Sequence, residues 1–262
     1  LPAPDPATDL ALLIEATEAA GRIALSYWRQ APKAWEKAAE AGPVSEADLA
    51  VDAALAAGLR AARPDYGWLS EETPDDPARL SRDRVFILDP IDGTRAFLAG
   101  EETFSVSLAV ATAGLVTAAV VHLPARGETY AAHLDGEARL NGRILHASPR
   151  REVDGADVLT TRANLAPEAW PGGVPDLKRS FRASLAWRLC LAAEGRHDAM
   201  LTLRDTWEWD CAAGSLIAAQ AGCVVSDRHG APLRFNRPVP QAAGVIAAPA
   251  ALHAGLMARL RP

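Results

Sequence analysis

The segment Leu88-Asp89-Pro90-Ile91-Asp92-Gly93-Thr94 combines residue types and spacing that point directly to chemistry. Asp89 ends an apolar run, and Asp92 follows three residues later, beyond a proline. Two carboxylates and an intervening peptide carbonyl can then face one point. Hard cations such as Mg²⁺ prefer oxygen donors of this kind. Gly93-Thr94 can open a helix, whose first N–H groups suit a phosphate oxygen. Read alone, the same residues describe a plain strand-to-turn junction, because Asp and Gly are turn formers.

Three more acidic segments shift that balance. Trp68-Leu69-Ser70-Glu71-Glu72-Thr73 carries adjacent carboxylates after an Asp-Tyr-Gly turn; by itself it reads as a solvated charge pair. Asp48 and Asp52 lie four apart on one helix face, where like charges destabilise unless a cation is near. Trp207-Glu208-Trp209-Asp210-Cys211-Ala212-Ala213-Gly214 sets an Asp at a helix start, where capping is the simpler role. The joint occurrence of all four is more telling than any one.

These side chains need a scaffold, and the hydrophobic pattern supplies one. Asp9 is expected to cap a first helix reaching about Gln30, with a stripe through Leu10, Leu13, Ile14, Ile23 and Tyr27. Trp35 to Gly42, containing Lys37, reads as a flexible approach loop. A second helix runs from Ser45-Glu46-Ala47-Asp48 to about Ala62. Arg84–Asp89 is a buried strand stopped by Pro90, and strands follow near Phe104–Val110, Leu115–His122 and Thr129–His133. Further strands are predicted near Asp157–Thr161, Ala199–Leu203, Cys223–Asp227 and Gly244–Ala248. Helices are expected over Ala183–Glu194, Trp209–Ala221 and Ala250–Leu260, with Gly195 and Gly222 as C-caps. The texture predicts an α+β part, residues 1–147, carrying most of the candidate ligands. An α/β part, residues 148–262, carries Asp210 and the specificity residues.

The 262 residues suffice for a large core. A net charge of −6 argues against the broad basic surface of a protein that binds polymeric nucleic acid. The three cysteines, Cys190, Cys211 and Cys223, show no CxxC spacing. They read as reduced thiols in a cytoplasmic protein. The start lacks the basic and apolar regions of a signal peptide. The uncharged run from Thr103 to Ala125 alternates and contains Ala113-Gly114, so it reads as two paired strands and not a membrane span. The six histidines show no ligand spacing, and the seven tryptophans read mostly as packing residues.

Four motifs together resemble the inositol monophosphatase superfamily of Mg²⁺-dependent, lithium-sensitive phosphatases. They are Pro43-Val44-Ser45-Glu46-Ala47-Asp48, Ser70-Glu71-Glu72, Asp89-Pro90-Ile91-Asp92-Gly93-Thr94 and Trp209-Asp210-Cys211-Ala212-Ala213-Gly214. The resemblance implies a layered αβαβα sandwich of the inositol monophosphatase and fructose-1,6-bisphosphatase type. It implies two or three Mg²⁺ ions: Glu71, Asp89 and the Ile91 carbonyl on the first, Asp89, Asp92 and Asp210 on the second, and Glu71 on a weaker third. Gly93 and Thr94 would offer N–H groups to the phosphate. The Thr94 hydroxyl, partnered by Asp48, would help take a proton from the attacking water. Without metal the carboxylates would repel, leaving Asp89 and Asp92 poorly ordered or partly protonated.

Within the superfamily the chain is most similar to bacterial 3′(2′),5′-bisphosphate nucleotidases of sulfur assimilation. The likeness rests on Pro43–Asp48, on Ser184-Leu185 leading into Leu191-Ala192-Ala193-Glu194-Gly195, and on Val225-Ser226-Asp227 with Gly230-Ala231-Pro232-Leu233. The implied substrate is adenosine 3′,5′-bisphosphate, giving AMP and phosphate; the alternatives are inositol phosphate, histidinol phosphate or a sugar phosphate. Thr202 stands near the place where inositol phosphatases carry a Glu. Where nucleotidases often carry a Lys, this chain has Ala186-Trp187-Arg188. Ser184 and Arg188 are therefore the substrate-binding candidates, Arg188 for the second phosphate; the plainer role for Arg188 is an exposed residue on a helix surface. Trp187 is a core residue or a stacking partner for adenine. Lys178, Arg179 and Arg182 form a cationic run with two readings, a further contact for the 5′-phosphate or, more plainly, a solvated loop.

Overall fold

The computed structural model describes residues 5–37 and 42–260. Helix α1 (Pro6–Tyr27) starts earlier than expected. Asp5 caps it, accepting from the Thr8 N–H at 2.7 Å, and Pro6 occupies the first helical position. Asp9 is instead buried inside the first turn, where Arg63, Tyr66 and Arg84 surround its carboxylate. The helix ends at Tyr27 because Trp28 is extended, so Gln30 lies outside it. The expected loop after Trp35 is partly strand: β1 (Ala34–Glu36) pairs antiparallel with β2 (Pro43–Ser45). Residues 38–41 of that loop lie outside the described residues. Helix α2 (Glu46–Ala62) opens with a capping box between Ser45 and Asp48.

A seven-stranded sheet follows: β3 (Gly67–Ser70), β4 (Arg84–Asp92), β5 (Ser105–Thr112), β6 (Leu115–Leu123), β7 (Glu128–His133), β8 (Arg139–Leu140) and β9 (Arg143–Ile144), in that spatial order. Only β3 and β4 run parallel. Short helix α3 (Thr94–Leu98) interrupts the passage from β4 to β5. The run from Thr103 to Ala125 is a strand pair, as its pattern predicts.

The second sheet contains β10 (Asp157–Leu159), β11 (Lys178–Ser180), β12 (Ala199–Thr202), β14 (Val224–Ser226) and β16 (Val245–Ala248), in the order β11-β10-β12-β16-β14. A small ribbon pairs β13 (Thr206–Trp207) with β15 (Gln241–Ala242). Helices α4 (Leu185–Ala193), α5 (Glu208–Gln220) and α6 (Ala250–Leu260) complete the fold. Gly195 and Gly222 follow α4 and α5 with positive φ, as C-capping glycines do. Lys178 and Arg179 belong to an edge strand, not a loop.

The layers are α1/α2, the large sheet, α4/α5, the small sheet and α6. Alternation along single strands shows how this arises. Phe86 and Leu88 pack toward α1 and α2, whereas Val85 and Ile87 pack toward α4 and α5. Leu159, Met200 and Ala247 close the α4/α5 layer from the small sheet, while Val158, Leu201 and Ile246 turn to α6. Strands buried on both faces read as unbroken apolar runs. All nine residues of α4 are buried. Gly214 lets α5 approach it, for a Cβ there would stand 2.7 Å from the Leu189 Cβ. Cys190, Cys211 and Cys223 are free, buried thiols. Among the described residues no helix is long and apolar enough to cross a membrane.

Candidate active site at the junction of two sheets

Each carboxylate reaches the site through a local backbone feature. The parallel register sets Ser70 beside Leu88, so the next residues, Glu71 and Asp89, emerge together, tied by Glu71 N–H to Leu88 O at 3.2 Å. Strand β4 does not stop at Pro90; it continues to Asp92 across a register shift. Asp89 faces Ser107 and Asp92 faces Ser105, three residues against two. A proline cannot donate to the ladder, and the extra residue forms a bulge. In a regular strand, positions three apart point to opposite faces. The bulge turns Asp89 and Asp92 to the same side.

Asp210 comes from the third position of α5, whose cap residue Trp207 makes no side-chain cap bond. Asp210 is therefore not an N-cap. Carboxylate oxygens of Glu71, Asp89 and Asp210 lie within 4.8 Å of one another. Asp92 stands outside that trio. Its Oδ2 accepts from Ser184 Oγ at 2.6 Å and from the Ala186 N–H at 2.7 Å. Ser184 gives its proton to Asp92, so Ser105 donates to Ser184 across their 3.0 Å contact. Asp89 is likewise held, accepting from the Ile91 N–H at 2.9 Å. Each carboxylate thus has defined hydrogen-bond partners in the protein. The Ile91 carbonyl accepts from the Thr94 hydroxyl at 3.2 Å, and that hydroxyl lies 3.4 Å from Asp48 Oδ1. Asp48 Oδ2 is occupied by the Ser45 N–H and hydroxyl. Among the described residues no ion pair forms at Asp52; the Ser70 and Thr73 hydroxyls donate to it instead.

Gly93 links these pieces with φ of +98°, and a Cβ there would meet the Thr103 carbonyl at 3.2 Å and the Ser184 nitrogen at 3.4 Å. Only glycine fits such a conformation without strain.

Electrostatically the site is a set of crowded acids. Burial first, then the charges of Glu71, Asp92, Asp210 and Asp48, pushes the Asp89 carboxyl well above the usual range. Burial followed by Asp92 and Glu71 does the same to Asp210. Asp92 and Asp48 are also raised by burial, against their hydrogen bonds. Glu72 is pushed up to about 7, chiefly by burial. Lys37 answers part of this charge: its ammonium lies 2.7 Å from Glu71 and 2.6 Å from Glu72. Its position among small residues gave no sign of that role. Arg188 is buried, not surface-exposed, and its Nε donates to the Ser184 carbonyl at 3.4 Å. Asp92 and Asp210 draw on it. Trp187 is a core residue, as one of its two readings has it. Two grooves of about 580 and 320 Å³ lie along α1 and β7, away from the acidic trio.

A trio of closely spaced carboxylates, with Asp89 buried between half-buried Glu71 and Asp210, is a fitting cage for a hard divalent cation. The same layered fold occurs in solved structures: a Thermotoga maritima IMPase shares 25% identity at a TM-score of 0.84, over 97% of this chain and 96% of that one. The inositol monophosphatase family model matches residues 5–262. The chain belongs to the inositol monophosphatase family. Family relatives include a histidinol-phosphatase of Chlorobaculum parvum, 31% identical over 85% of this chain and 86% of its own. An inositol-1-monophosphatase of Rhizobium meliloti is 34% identical over 71% of this chain and 73% of its own. Membership in this family of phosphatases accords with the site: acids for a cation, a glycine turn at a helix start, and a hydroxyl beside a carboxylate.

Proposed function

We propose that this chain is a Mg²⁺-dependent phosphatase of small phosphate monoesters whose substrate carries a second anionic group, as adenosine 3′,5′-bisphosphate does. The observation that carries the second half is Arg188, a cation buried beside the site with one long side-chain hydrogen bond to protein among the described residues. Two or three ions held by Glu71, Asp89, Asp92, Asp210 and the Ile91 carbonyl would neutralise phosphate charge and acidify a water. The protein groups do the rest. Gly93 and Thr94 N–H groups hold a phosphate oxygen. Thr94 Oγ1 accepts a proton from the attacking water as it passes its own toward Asp48 Oδ1, an acceptor whose raised proton affinity suits the transfer. Ser184 fixes Asp92.

Histidinol phosphate is the second reading, favoured by the Chlorobaculum parvum relative. Its organic part is cationic, which Arg188 would oppose; inositol 1-phosphate has no charged organic part at all. Phosphate release from the three esters with Mg²⁺ separates them, and inositol 1-phosphate turnover equal to that of the bisphosphate would sink the nucleotidase reading. Arg188→Ala should cost about 1.5–3 kcal/mol in kcat/KM for the bisphosphate, the worth of a hydrogen bond to a charged group. Adenosine 3′-monophosphate should lose far less. Equal losses on both would mean that Arg188 serves only to balance Asp92 and Asp210.

A further inference from the structure

Trp207 is 40% exposed, and its ring lies flat against Trp209, with centroids 4.8 Å apart and planes 8° from parallel. Burial does not explain an aromatic ring that stays 40% exposed while stacked on its neighbour. The pair is fixed from both ends. Trp207 is pinned in the β13–β15 ribbon opposite Gln241. The Trp209 carbonyl accepts from Ser107, the residue facing Asp89. Trp207 caps α5, and Asp210 is three residues on. Arg204, exposed and three residues before Trp207, shares the field of Asp210 with Arg188. A flat apolar surface with cationic groups near it suits a neutral planar ring joined to an anionic group such as a phosphate.

We propose that Trp207, backed by Trp209, is a stacking platform for the aromatic base of the leaving alcohol, with Arg204 beside any further phosphate that alcohol carries. The inference rests on the phosphatase reading above and narrows its substrate class to esters of aromatic, anionic alcohols such as nucleotides. Trp207 is a specificity residue; no bond to the reacting phosphate is assigned to it.

The test compares substrates on the intact chain with Mg²⁺. Unmodified protein should prefer adenosine 3′-monophosphate over ribose 3-phosphate by about tenfold in kcat/KM, the low range of base–aromatic stacking. Trp207→Leu should erase most of that preference, and Trp207→Phe should retain it. AMP binding measured by equilibrium dialysis should weaken about tenfold in Trp207→Leu and little in Trp207→Phe. No preference in the unmodified protein, or equal losses by Trp207→Leu on both esters, would overturn the platform. Turnover of ribose 3-phosphate alone leaves the phosphatase reading standing and removes only this inference. Absence of turnover with every ester removes the phosphatase reading, and the dialysis result then decides whether Trp207 still binds a nucleotide ring.

Discussion

Thr94 is poised between two acceptors, the Ile91 carbonyl and Asp48 Oδ1. Thr94→Ala removes the hydroxyl and no carboxylate. Turnover should fall roughly 10²- to 10⁴-fold, the span of general acid–base assistance, with Mg²⁺ affinity by calorimetry nearly unchanged. The raised carboxyls carry a second expectation. A carboxyl whose proton affinity is higher folded than unfolded stabilises the fold when protonated and loses that contribution as pH rises. Glu72 moves from 4.5 to about 7, while Asp89 and Asp210 move in the same direction. Metal-free protein should therefore melt at progressively lower temperature as pH rises from about 4 through 7. Asp89→Asn should flatten that slope, raise the metal-free melting temperature near pH 8 and abolish turnover. Scanning calorimetry with a chelator at several pH values checks the first two points; a slope of opposite sign would contradict the crowding of these acids. Residue identities made much of this site legible. Asp48, Glu71, Asp89, Asp92, Thr94 and Asp210 could be picked from motifs, because metal and phosphate chemistry restricts residue type. Lys37 and the burial of Arg188 could not, because a lone basic residue in sequence carries no sign of its partners.

Secondary elements sort the same way. The long strands and helices were legible because burial on both faces writes an unbroken apolar run. Pro90 misled, since a proline ends a regular ladder but is tolerated at a bulge. Asp9 misled because a capping residue and a buried acid in the first turn look alike in sequence; Pro6 was the better marker of the start. The two-residue strands β13 and β15 left no pattern, being too short to alternate. Helix packing is testable at Gly214. An added Cβ would stand 2.7 Å from Leu189 Cβ and 3.0 Å from the Ala186 carbonyl. Gly214→Ala should cost about 1–3 kcal/mol from overpacking, despite the better helix propensity of alanine. A chain of this size would then melt several degrees lower, roughly 2–4 °C per kcal/mol. An unchanged melting temperature would show that α4 and α5 can separate freely.

The molecule as a whole joins two sheets through one shared helical layer, and the site lies on that joint. Glu71 and Asp89 come from the large sheet, while Asp210 and Ser184 sit at the starts of α5 and α4. Asp210 therefore joins Glu71 and Asp89 only when α5 is packed against the large sheet. The three cysteines sit close to the same joint, and burial holds the Cys223 thiol up at about 12, with Cys190 and Cys211 raised as well. A thiolate attacks an alkylating reagent and displaces its halide, and these sites withhold the thiolate. Each cysteine is thus a silent clock: iodoacetamide should mark none of them in the closed molecule, and all three at one common rate if the layers part together. Mass spectrometry of the modified peptides would read that rate, and faster labelling of Cys223 alone would reveal that the end of α5 opens before the joint does.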